Sequence, residues 1–201
     1  MKGTKNFIIQ LDEIYSETFK TEGGLELIGN VDFTAERQSN RIAKVVGIPS
    51  LYETEIKEGY EVLIDASPLY RQIYNGNKQW YQSMVNEDKN QFYLEKDMVI
   101  CFRENKDAEW KGFLKNCLVK PIMEEAKIEK KTNSLLILPE TVSKPKFSGK
   151  VNMTYSNTEL NELGVKNGDT LYMDIRGGID YWIEGVKYWW IRNKDLFALE
   201  L

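Results

Sequence analysis

The sequence predicts an all-β protein made of two small antiparallel barrels in tandem, residues 1–113 and 114–201. Three observations carry this. Apolar residues alternate or come in short blocks rich in β-branched and aromatic side chains, with Gly, Asn or Pro between them. Helix signals are poor, and only NTELNEL (157–163) suits a helical turn. One ordered series of features occurs twice, about 110 residues apart.

In each copy the series opens on a strand, NFIIQLDE (6–13) and NCLVKPIME (116–124). A long polar stretch with an apolar island follows. The first island sits in KTEGGLELIG (20–29), where Gly23 and Gly24 precede Leu25, Glu26, Leu27 and Ile28. The second, Leu135 to Leu138, sits in KKTNSLLILPE and includes Leu136, Ile137 and Leu138. A Gly-Gly pair loosens the chain, because glycine loses the most freedom on ordering. By pattern alone Leu25, Leu27 and Ile28 also suit an ordinary alternating edge strand.

The second strands are RIAKVVGIP (41–49) and SGKVNMTY (148–155). Short links, SLYETE and SNTELNEL, lead to the phrase IKEGYEVLI (56–64) and its echo VKNGDTLYM (165–173). Each phrase reads as a turn whose glycine supplies an unusual backbone angle and feeds a half-buried strand.

The copies then diverge. The first carries a long segment, 67–94, with Tyr70, Tyr74, Trp80, Tyr81, Phe92 and Tyr93, expected to form a hairpin turning at Asn75-Gly76. Tyrosine and tryptophan are also common interface anchors. In the second copy YWIEGVKYWW reads as a hairpin turning at Glu184-Gly185, and Gly177-Gly178 reads as another hairpin turn. Its aromatics Tyr181, Trp182, Tyr188, Trp189 and Trp190 are expected in the core and between the barrels. EWKGFLKNCLVKP runs from one copy into the next without a Gly/Ser linker, so the barrels should be held close. Phe113–Leu114 is expected to end the first barrel as a strand.

Composition narrows the function. The chain has 201 residues and 42% hydrophobic content, enough for packed cores. With 27 basic and 31 acidic residues the formal net charge is −4, which argues against a nucleic-acid binder. No apolar run is long enough to span a membrane, and the first residues show no signal-peptide core. Cys101 and Cys117 lack a metal-type spacing; a reducing cytoplasm is the expectation, with no disulfide and no metal. Histidine is absent, which removes the commonest general base and metal ligand. No Gly-rich phosphate loop follows a strand. A non-enzymatic protein without cofactor is expected.

The order of features in both halves resembles the GroES-type co-chaperonin family: strand, long mobile loop, strand, apolar-Lys-x-Gly turn, closing hairpin and final strand. FIIQ, KTEGGLEL, AKVVG, IKEGYEVLI and MVICF carry the resemblance in the first half, and CLVK, KTNSLLIL, GKVNM, VKNGDTLYM and VKYWWIRNKDLFALEL in the second. The resemblance implies two tandem GroES-like small β-barrels with mobile loops near 16–38 and 128–146. It implies a lid that binds a chaperonin and assists ATP-dependent folding, the ATP being bound by the partner. The chaperonin contacts would be Gly23, Gly24, Leu25, Glu26, Leu27 and Ile28 in one loop and Leu136, Ile137 and Leu138 in the other. In this family the first strand of one subunit pairs with the last strand of its neighbour. Phe7, Ile8 and Ile9 and Leu196, Phe197 and Leu199 would then be free edges that close a homo-oligomeric ring. Glu26 departs from an apolar tripeptide, and Asn133-Ser134 stand where a second Gly-Gly would be. The short links between second and third strands resemble phage-encoded co-chaperonins with a reduced roof. The alternative is a structural ring or virion component on the same barrels, without chaperonin binding.

Overall fold

The computed structural model describes residues 2–15, 18–20, 26–28, 39–74, 78–124, 128–129, 141–142, 146–174, 178–183 and 186–200. For 18–20, 26–28, 71–74, 78–80, 128–129 and 141–142 it describes the backbone alone.

The first half contributes β1 (Phe7–Gln10), β2 (Thr18–Lys20), β3 (Glu26–Ile28), β4 (Ile42–Gly47), β5 (Glu61–Ile64), β6 (Arg71–Tyr74), β7 (Lys78–Tyr81), β8 (Met84–Asn86), β9 (Gln91–Leu94), β10 (Val99–Arg103) and β11 (Lys111–Gly112). The second half contributes β12 (Asn116–Met123), β13 (Ile128–Glu129), β14 (Thr141–Val142), β15 (Phe147–Tyr155), helix α1 (Thr158–Glu162), β16 (Thr170–Met173), β17 (Ile179–Ile183), β18 (Val186–Arg192) and β19 (Leu196–Leu199). The helical turn read in NTELNEL is α1; Asn157 caps it by accepting from the Leu160 amide at 3.0 Å.

Apart from the separate two-stranded ribbons β2–β3, β6–β7 and β13–β14, these strands form two separate antiparallel barrel sheets. The first runs β11-β10-β5-β4-β1-β9-β8 and the second β17-β18-β12-β15-β16-β19. Written from the opposite end and without β11, the first has the same order as the second. β1 takes the place of β12, β4 of β15, β5 of β16, β8 of β17, β9 of β18 and β10 of β19. Register irregularities coincide as well, at Ile8/Ile9 in β1 and Leu118/Val119 in β12. Gly59 and Gly168, at φ +93° and +96°, make the turns before β5 and β16. A side chain would be strained at both, which is why the phrase needs glycine.

Each sheet wraps its own core. Phe7, Ile9, Val45, Val62, Ile64, Phe92 and Leu94 fill the first, with Phe113. Cys117, Val119, Val151, Met153, Leu171, Met173 and Ile191 fill the second. A third cluster joins the barrels: Leu63, Ile100, Cys101 and Trp110 from the first pack on Leu118, Tyr181, Ile183, Tyr188 and Trp190 from the second.

Three sequence expectations need correction. The free edge expected at Phe7, Ile8 and Ile9 is an interior strand, since β1 pairs with β4 on one side and β9 on the other. The long aromatic segment folds back, and burying Phe92 and Leu94 brings β9 against β1. Phe113–Leu114 is not the closing strand; β11 ends the first sheet beside β10, and Leu114 turns the chain at φ +53°. Gly178 does not join two paired strands, because β16 and β17 are not neighbours in the sheet. Gly178 is needed for close approach instead: a Cβ there would meet the Trp189 ring at 2.5 Å. The hairpins β6–β7 and β17–β18 form where aromatic segments were expected to turn, although 75–77 and 184–185 lie outside the described residues.

Candidate functional site

Between first and second strands, each barrel carries a short ribbon that is separate from both barrel sheets. In the first, β2 pairs with β3: Thr18 with Ile28, Phe19 with Leu27, Lys20 with Glu26. Glu26, Leu27 and Ile28 therefore form the return strand, while Gly23, Gly24 and Leu25 lie outside the described residues. In the second, β13 pairs with β14, Ile128 with Val142 and Glu129 with Thr141. Leu136, Ile137 and Leu138 fall in 130–140, outside the described residues.

The roots of these segments are fixed. Tyr15 and Ser39 bridge antiparallel, and the Asn40 amide donates to the Ile14 carbonyl at 2.9 Å. The Tyr15 hydroxyl donates to the Leu69 carbonyl at 2.5 Å. At the second root the Glu124 amide donates to the Lys146 carbonyl at 2.8 Å, and Phe147 packs on Trp189 with ring centroids 4.8 Å apart.

The joint between barrels is the other candidate. β11, just ahead of β12, pairs with β10: Cys101 opposite Gly112 and Phe102 opposite Lys111. The strand just ahead of β12 thus covers β10. Asn116 ties both sides, donating through Nδ2 to the Val99 carbonyl at 2.8 Å and accepting from Trp190 Nε1 at 3.1 Å. Tyr181, fully buried, donates to the Ile64 carbonyl at 2.9 Å, and the Arg41 guanidinium lies 4.7 Å above its ring. Burial pushes the Tyr181 phenol well up. Burial also raises the Cys101 thiol at this joint and, to about 12, the Cys117 thiol in the second barrel's core, so both stay protonated and unreactive at neutral pH.

On the matching outer face of the second barrel, among the described residues, β19 pairs only with β16, and Phe197, which stands where Ile100 stands in β10, is 69% exposed beside Tyr172. Leu196 and Leu199 are half-buried on the same strand.

Residues 109–200, from the link before β12 to the residue after β19, match the family of the chaperonin 10 Kd subunit. The chain is also 33% identical over 82 residues to the co-chaperonin GroES of two strains of Porphyromonas gingivalis, which spans 41% of this chain and 88% of each relative. The chain belongs to the chaperonin 10 family. The matched residues hold the complete second barrel, and the first barrel has the strand order of this chaperonin 10 unit. Sequence reading missed the cover that β9 gives β1 and the contact of Tyr15 with the 67–83 segment. The only signal for either was the density of aromatic residues in 67–94.

Proposed function

We propose that the protein is a co-chaperonin, a non-catalytic lid made of two tandem chaperonin 10 barrels divided near 113/114. The observation that carries this reading is the repeated plan: two sheets of one strand order, each with a free-standing ribbon between its first and second strands. In this reading the segments near 16–38 and 128–146 dock on an ATP-loaded chaperonin through Leu25–Ile28 and Leu136–Leu138. Flexible apolar anchors suit a lid that must leave each cycle, because ordering them on binding offsets part of the affinity. The short links at 50–55 and 156–163 leave a reduced roof.

Ring assembly follows from the joint within the chain. Lys2-Gly3 stands before β1 as Lys111-Gly112 stands before β12. Gly3 bridges Pro49 and donates to the Ile48 carbonyl at 3.1 Å; Gly112 bridges Asn157 and donates to the Ser156 carbonyl at 2.9 Å. Since the Lys111-Gly112 strand covers β10, the Lys2-Gly3 segment of one copy covers β19 of the next. Such a repeating heterologous contact closes a ring when its rotation does.

The test is the paired variant Leu27→Asp with Leu138→Asp. Loss of binding to a bacterial chaperonin with unchanged thermal unfolding is the expected result. Unfolding of both single variants would place these leucines in a core and overturn the anchor role. Retained ring assembly without any chaperonin binding by the wild-type protein would favour the structural-ring alternative.

A further inference from the structure

The first barrel has one part the second lacks, the 67–83 segment between β5 and β8. In the second barrel the corresponding link, 174–178, is short. Its two described ends, at Leu69 and Tyr81, meet Tyr15 at the root of the 16–38 loop. A 3-10 turn at Ser67–Leu69 buries Pro68 and Leu69, and Ser83 Oγ donates to the Pro68 carbonyl, closing the segment's base. The Leu69 carbonyl accepts from the Tyr15 hydroxyl. The Tyr15 ring lies 6.5 Å from the Tyr81 ring, which meets Phe92 edge-on at 5.5 Å.

The second barrel gives the comparison. Phe92 pairs with Ile9 in β1, and Trp189 pairs with Val119 in β12, so both aromatics hold the same place. In the second barrel the loop-root residue Phe147 sits directly on that aromatic. In the first, Tyr81 from the extra segment stands between the loop root and Phe92, and a hydrogen bond to Leu69 is added. The first loop is therefore held at its root by a polar and an aromatic contact, both supplied by the insertion.

We propose that the 67–83 segment is a brace for the 16–38 loop, with Tyr15 and Tyr81 as positioning residues for its docking on the chaperonin. The inference rests on the co-chaperonin reading. Fixing the root removes part of the chain entropy that docking would otherwise cost.

The experiment uses the full chain with Tyr81→Leu and, as a milder change that removes only a hydroxyl, Tyr15→Phe. Hydrogen exchange reads the Asn40 amide at the loop root, with the Met153 amide, bonded to the Asp169 carbonyl at 2.8 Å, as the internal control in the other barrel. The expected result is an Asn40 exchange rate raised on the order of tenfold with Met153 unchanged. Binding to a purified bacterial chaperonin with ATP should weaken roughly three- to tenfold in the same variants. Unchanged Asn40 exchange in both variants overturns the brace. So does full chaperonin affinity in a variant whose Asn40 protection is lost. Failure of the wild-type chain to bind any chaperonin overturns the co-chaperonin reading instead, and Asn40 exchange still decides the brace.

Discussion

Tyr181 links the two barrels with one side chain. Its ring lies in the cluster shared by both sheets, and its hydroxyl reaches the Ile64 carbonyl of the first barrel. Tyr181→Phe keeps the ring and loses only the hydrogen bond, so the expected cost is about 1–2 kcal/mol, read as a lower denaturant midpoint. Buried groups at this joint and in the second core also make stability depend on pH in the alkaline range. The Cys117 thiol rises from an ordinary 9.0 to about 12, with desolvation the larger cause and Asp195 the smaller. Cys101 and Tyr181 shift in the same direction, again chiefly through burial. A raised native pKa means that the unfolded chain gives up its proton first as pH rises. The contribution is therefore full below pH 9 and is lost progressively toward pH 12. Denaturant midpoints should hold between pH 7 and about 8.5 and fall steadily above pH 9, which a titration followed by circular dichroism checks.

At the scale of elements, β10 and β19 make an internal comparison. Ile100 in β10 is fully buried against the second barrel, while Phe197 in β19 faces solvent. Phe197→Asp should leave the fold of the single chain within about 0.5 kcal/mol, because exposed positions tolerate change. It should still shift the protein from rings to single chains in size exclusion with light scattering. Much of this level was legible in the sequence. The paired glycine turns, the capped turn at Asn157 and the two opening strands follow from local chemistry. What was not legible depends on long-range pairing. The sequence of β1 suits an edge or an interior strand, and only the fold of 67–94, which brings β9 alongside, decides between them. The role of Gly178 depends on Trp189, which approaches through the pairing of β17 with β18. Of the candidate site, the islands were visible as short apolar runs. The brace was not, because Tyr15 and Leu69 are 54 residues apart in sequence.

The whole molecule holds two sheets of one strand order, the second of which matches the chaperonin 10 family, joined where β11, just ahead of β12, covers β10. In the proposed lid this joint puts both loops on one carrier, so that each chain would offer two anchors to a partner. Two tethered anchors raise the effective concentration of the second once the first has docked. Binding should then be steep in the nucleotide state that exposes the partner's grooves. The most direct measurement is co-sedimentation of the intact protein with a bacterial chaperonin at micromolar concentration, with and without ATP. The account predicts that the protein pellets with the chaperonin when ATP is present and stays in the supernatant when it is absent. Equal recovery in the supernatant under both conditions, from a protein shown to be folded, would contradict it.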